Sequence, residues 1–150
     1  MSAFKHILFA TDFGESSQRA LVIAIELAKK FDATLTLIHT FEIPTYAYSG
    51  MPFSTLDMFT PIEEAARQDF EAALAALRKQ VPAAKGILRR GVPWQDIQAA
   101  IVETHADLVV MGTHGRSGVA RAFLGSVAEK TVRMSPVPVL TIRAAADTRG

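Results

Sequence analysis

Two short runs of purely apolar residues, Ile7-Leu8-Phe9-Ala10 and Leu108-Val109-Val110-Met111, constrain the fold of this chain more than any other feature. A strand covered on one face alternates apolar and polar residues, whereas a strand covered on both faces reads as an unbroken apolar run. The first run leads through the turn Thr11-Asp12-Phe13-Gly14 into a helical stripe of Ala20, Ile23, Ala24, Leu27, Ala28 and Phe31. Leu35-Thr36-Leu37-Ile38-His39 then reads as a second strand. Strand, helix and strand in such quick succession make a βαβ unit, whose crossover is right-handed.

The same alternation continues to the end. Ile62, Ala66, Phe70, Ala73, Leu74, Leu77 and Val81 form a second helical stripe. It opens at Thr60-Pro61-Ile62-Glu63, whose spacing predicts a capping box with proline at the first helical position. Gly86-Ile87-Leu88-Arg89-Arg90 is more polar and predicts an edge strand. Pro93 starts a helix with Trp94, Ile97, Ala100 and Ile101 on one face, and Leu108 to Met111, the most apolar strand, is expected at the centre of the sheet. A short helix from Gly125 to Met134 and a last strand, Val139-Leu140-Thr141-Ile142, follow.

The predicted class is therefore α/β: an open, mostly parallel, Rossmann-like sheet with helices on both faces. A single domain spanning residues 1–150 is expected, with its core at about 4–143. The segment 41–59 has no clean period and reads as a long loop, and the tail 144–150 is small and polar.

Composition narrows the function. Apolar residues make up 49% and charged residues 21%, which fits a packed globule rather than a disordered chain. A formal charge of +1, without a basic run, gives no field for nucleic acid or an acidic membrane. Cysteine is absent, which removes disulfides, thiolate zinc sites and thiol catalysis. No stretch approaches the ~20 apolar residues of a membrane span, so a cytoplasmic protein is expected.

Gly112, Gly115, Gly125 and Ser126 form a Gly-x2-Gly-x9-Gly-Ser spacing directly after the second apolar run. With glycine at ~7% of residues, chance places this spacing in about one such chain in a few hundred. A glycine loop running into a helix start offers unpaired amides with no Cβ in the way, which suits a phosphate. In open α/β sheets, ligands bind beyond the carboxyl ends of the strands, where the strand order reverses. Asp12, Thr40 and Gly112 each follow a strand and converge there. No Gly-x4-Gly-Lys loop, Gly-x-Gly-x-x-Gly fingerprint or nucleophile with a base is legible, so no catalytic residue is assigned.

These motifs, with Leu37-Ile38-His39, Asp107 to Gly118, Leu124 to Ala128 and Pro136 to Leu140, resemble the universal stress protein family from about Phe4 to Arg143. The resemblance implies the strand order 3-2-1-4-5, a homodimer through the last strand (Val137 to Ile142), and a role in stress response. The full glycine spacing is similar to the branch that binds ATP, with Mg or Mn accompanying the phosphates. By that resemblance Asp12 lies near the ribose and adenine, and Ala10, Thr40 and Met111 border the base. Gly112 and Gly115 match the loop at the ribose and phosphates, and Gly125 and Ser126 the helix start that holds the phosphates. Thr11, His114, Arg116 and Val127 complete the candidate set. Ala10 departs from the pattern, since binding members often carry proline there.

Plain alternatives stand beside these assignments. Gly125-Ser126 also suits an ordinary serine cap, and Asp12 also suits a turn or helix cap. Arg116 either pairs with a phosphate or stays solvated, and His114 reads more simply as an exposed loop histidine. His39 is expected to hydrogen-bond the core, and Trp94 to pack rather than stack on a ligand. Tyr46, Tyr48, Phe53 and Phe59 cover a ligand, meet a partner or anchor the loop. A slow ATP hydrolase, an adenylyl-transfer enzyme and a nucleotide-free interaction scaffold remain the competing functions.

Overall fold

The computed structural model describes residues 3–42, 59–114 and 124–144. Expectations for 43–58 and for the tail from 145, together with Gly115 and Arg116, lie outside the described residues. Five strands alternate with four helices: β1 (His6–Ala10), α1 (Glu15–Phe31), β2 (Thr34–Phe41), α2 (Thr60–Gln80), β3 (Lys85–Arg90), α3 (Pro93–Thr104), β4 (Leu108–Gly112), α4 (Ser126–Met134) and β5 (Val139–Ile142). All strand pairs are parallel, and the order is β3-β2-β1-β4-β5, as the resemblance implies.

The pleat of the sheet sorts its side chains into two cores. Ile7 and Phe9 of β1 join Leu35, Leu37, Leu108 and Val110 under α1 and α2. Leu8 and Ala10 join Ile38, Val109 and Met111 under α3 and α4. Covering both faces explains the unbroken apolar runs, and each large side chain buried this way contributes ~1.5–3 kcal/mol. No helix among the described residues is long and apolar enough to cross a membrane.

Three expectations need correction. β4 is buried along its whole length, yet it lies between β1 and β5, and β1 holds the middle of the sheet. Burial on both faces marks an interior strand without ranking it. The capping box does not form: α2 has Phe59 at its N-cap, without a side-chain cap, and Thr60 is already helical. Phe59 packs beside Phe41, Ala66 and Leu88, so apolar contact sets the start of this helix. With Thr60 inside the helix, Ile62 turns outward and is exposed, while Ala66, Phe70 and Leu77 carry the buried stripe. The strand at β3 is an edge, as its polar composition requires.

Candidate functional site

The strand order reverses between β1 and β4: β1 continues through α1 to β2 on one side, while β4 lies on the other. Ala10 and Met111 sit side by side in that register, both buried, in the same cluster as Ala128 and Val127 of α4. Thr40 lies two positions beyond Ile38, the residue level with Ala10, and its buried Oγ1 has no hydrogen-bond partner among the described residues. Thr11 and Asp12 follow directly, so the described members of the candidate set gather at one end of the sheet.

Asp12 is tied into its own turn. Its Oδ1 accepts from the Gly14 amide at 2.8 Å and from the Ser17 hydroxyl at 2.7 Å. This is the capping role that the sequence left open, and it fixes the carboxylate at the entry to α1. The next residue, Phe13, has φ 65°, a left-handed conformation costing a bulky residue roughly 1–2 kcal/mol. Its ring lies 4.4 Å from the imidazole of His39. His39 Nδ1 is 2.8 Å from the Thr11 carbonyl; a carbonyl only accepts, so Nδ1 carries the proton. His39 thus meets its expectation as a core hydrogen-bonding residue.

Gly112 has a structural reason to be glycine. A Cβ there would overlap Ser16 Oγ and lie 2.7 Å from the Ser16 carbonyl carbon and 2.8 Å from the Ser17 nitrogen. Helix α1 therefore rests its first turn directly on the end of β4. The Ser16 hydroxyl completes the contact by donating to the His114 carbonyl at 2.8 Å. Ser16 and Ser17 were not singled out in the sequence; two buried small hydroxyl residues opening a helix opposite a glycine are the signal. His114 is half-buried rather than exposed, with Nδ1 3.0 Å from Thr113 Oγ1 and a buried Nε2 that has no partner among the described residues.

The start of α4, like that of α1, opens on a glycine N-cap in extended conformation: Gly125 has φ -65° and ψ 166°, and no side chain among the described residues caps the helix. Ser126 is the first helical residue, so the alternative reading of Ser126 as an N-cap does not hold. The first intrahelical bond runs from the Glu129 amide to the Gly125 carbonyl at 2.9 Å. The amides of Ser126, Val127 and Ala128 therefore precede the helical ladder, at the positive end of the helix. The Gly125 amide donates to the Thr113 carbonyl at 2.6 Å, which holds this end beside β4. On the flank, the ammonium of Lys130 on α4 lies 5.6 Å from the centroid of the half-buried Trp94 ring on α3.

A parallel sheet in this order, layered on both faces and with its crevice at the reversal, defines a Rossmann-like α/β protein. The chain belongs to the universal stress protein family, whose model, described as "Universal stress protein family", matches residues 3–143. A Thermus aquaticus universal stress protein is 37% identical over 141 residues, covering 93% of this chain and 99% of the relative. Among solved structures, universal stress protein UspA from Lactobacillus plantarum superposes with a TM-score of 0.84 at 21% identity, covering 95% of this chain and 100% of the other. An Arabidopsis thaliana family protein solved with AMP bound gives a TM-score of 0.67 at 19% identity, covering 95% and 94%. These structural likenesses share the fold.

Proposed function

We propose that this protein binds ATP in the crevice between β1 and β4 and acts as a nucleotide-responsive regulator in the stress response. The observation that carries this reading is the start of α4, which opens on Gly125, is held beside the end of β4 by the Gly125–Thr113 backbone bond, and has no side-chain cap among the described residues. Three amides preceding the helical ladder favour an anion at that point. The AMP held by the Arabidopsis relative supports an adenine nucleotide as the ligand class. In this reading Ala10, Thr40 and Met111 border the base, and Thr11 and Asp12 lie at the ribose. His114, Gly115 and Arg116 approach the phosphates with Gly125, Ser126 and Val127, while Gly112 supports the crevice through its packing against α1. Mg or Mn accompanies the phosphates. A partner that prefers the liganded state would convert occupancy into a signal by population shift.

Titration calorimetry of nucleotide-free protein with ATP and Mg is expected to give saturable binding near one site per chain. Absence of heat, together with no nucleotide released from gently purified protein on denaturation, would dismiss the reading.

The proposal extends to a single cytoplasmic domain that pairs through β5. Leu140 on that strand is 37% exposed, and the edge offers unpaired backbone groups to a second copy. Light scattering at micromolar concentration is expected to give twice the 16.3 kDa chain mass. A monomer mass there would remove the dimer from the proposal.

A further inference from the structure

On the opposite face of the sheet from α4, the described residues line a partly open pocket of about 170 Å³. Its apolar walls come from Phe9 and Leu37 on the sheet, Leu21 on α1 and Leu77 on α2. Ala73 is the short side chain that leaves the space open, and Phe13 adds a second aromatic ring. A void of about 150 Å³ lined by such residues takes up benzene rather than water, so this one has room for one ring or two small fused rings.

The polar part of the lining comes from one stretch of chain. Thr11 Oγ1 already accepts from the Phe13 amide, and the Ser17 hydroxyl is held by Asp12. The side-chain carboxamide of Gln18, an exposed residue at the rim, makes no hydrogen bond among the described residues and can donate or accept. Phe13 supplies an independent observation: it is held at φ 65°, and strain of this kind persists where the surroundings over-determine it and clusters at ligand sites. The left-handed conformation places an aromatic ring in the wall of the pocket while the same ring packs against His39 at a tilt of 47°.

We infer that this cavity is a second ligand site, taking a small aromatic molecule with one hydrogen-bonding group. Apolar walls and two phenyl rings receive the ring system, and Gln18 meets the polar group. The site lies on the other face of the sheet from α4 and meets the proposed nucleotide crevice only at Thr11, so it gives the protein a second input beside the nucleotide.

Indole serves as the probe, added to nucleotide-free full-length protein with labelled leucine methyl groups. Saturable shifts are expected in the methyl resonances of Leu21, Leu37 and Leu77. Ala73→Leu, which fills the space, is expected to weaken indole binding by about tenfold or more. Ala73→Val is the milder filling variant should the leucine disturb folding, with a smaller loss in the same direction. No saturable shift in those methyls up to the solubility limit of indole overturns the inference. So does unchanged affinity in a folded filling variant. Both outcomes are independent of the calorimetric test with ATP.

Discussion

Gly112→Ala is expected to destabilise the protein by about 3 kcal/mol, lowering its melting temperature by roughly 6–12 °C. The size of the effect follows from what the added methyl meets. Two of its three nearest atoms are backbone, the Ser16 carbonyl carbon and the Ser17 nitrogen, at 2.7 and 2.8 Å. A side chain can rotate away at little cost, but helix α1 can give way only by lifting from the sheet. That movement would also break the Ser16–His114 hydrogen bond and loosen Ala20 and Ala24 in the core beneath. Thermal denaturation followed by circular dichroism checks the prediction without any ligand. A melting temperature within about 1 °C of the parent would show that the helix does not press on β4 as described.

Gly125→Val should do the opposite, leaving stability within about 1 kcal/mol while reducing ATP affinity at least about tenfold. The backbone at Gly125, φ -65° and ψ 166°, is an extended conformation that β-branched residues adopt readily. Glycine is therefore not required there by the fold of the chain. A branched side chain at this point crowds the approach to the amides of Ser126 and Val127, where the proposed phosphates lie. Calorimetry with ATP and a urea titration of the same preparation separate the two effects. Unchanged affinity in a folded variant would remove the start of α4 from the binding site. Together the two substitutions assign different reasons to two glycines of one motif.

That distinction was not legible in the sequence, where Gly112 and Gly125 stand as equal parts of one spacing. A glycine needed for helix packing and a glycine leaving room for a ligand are the same letter, and only the approach of α1 tells them apart. The layered α/β plan was legible because covering on both faces left unbroken apolar runs at Ile7 to Ala10 and Leu108 to Met111. Strand order was a different matter, since it came from the family resemblance; periodicity alone ranked β4 as central. The Thr60–Glu63 capping box failed because a local pattern yielded to a tertiary one, the packing of Phe59 against Phe41 and Ala66. At the site, convergence of Asp12, Thr40 and Gly112 was foreseeable from strand ends, whereas Ala10 and Met111 came from the family resemblance. The capping bonds of Asp12 are local and stood among the alternatives, but the role of Ser16 depends on a contact with His114 about a hundred residues away, which no local reading supplies.

The two outer strands of the sheet differ in a way that bears on assembly. β3 carries Lys85, Arg89 and Arg90, whereas β5 presents Val139, Leu140, Thr141 and Ile142. Like meeting like across a twofold axis gives antiparallel pairing, so two copies joined at β5 would point their strands in opposite directions. Their crevices would then open at opposite ends of the doubled sheet, and a compact rigid effector would engage them one at a time.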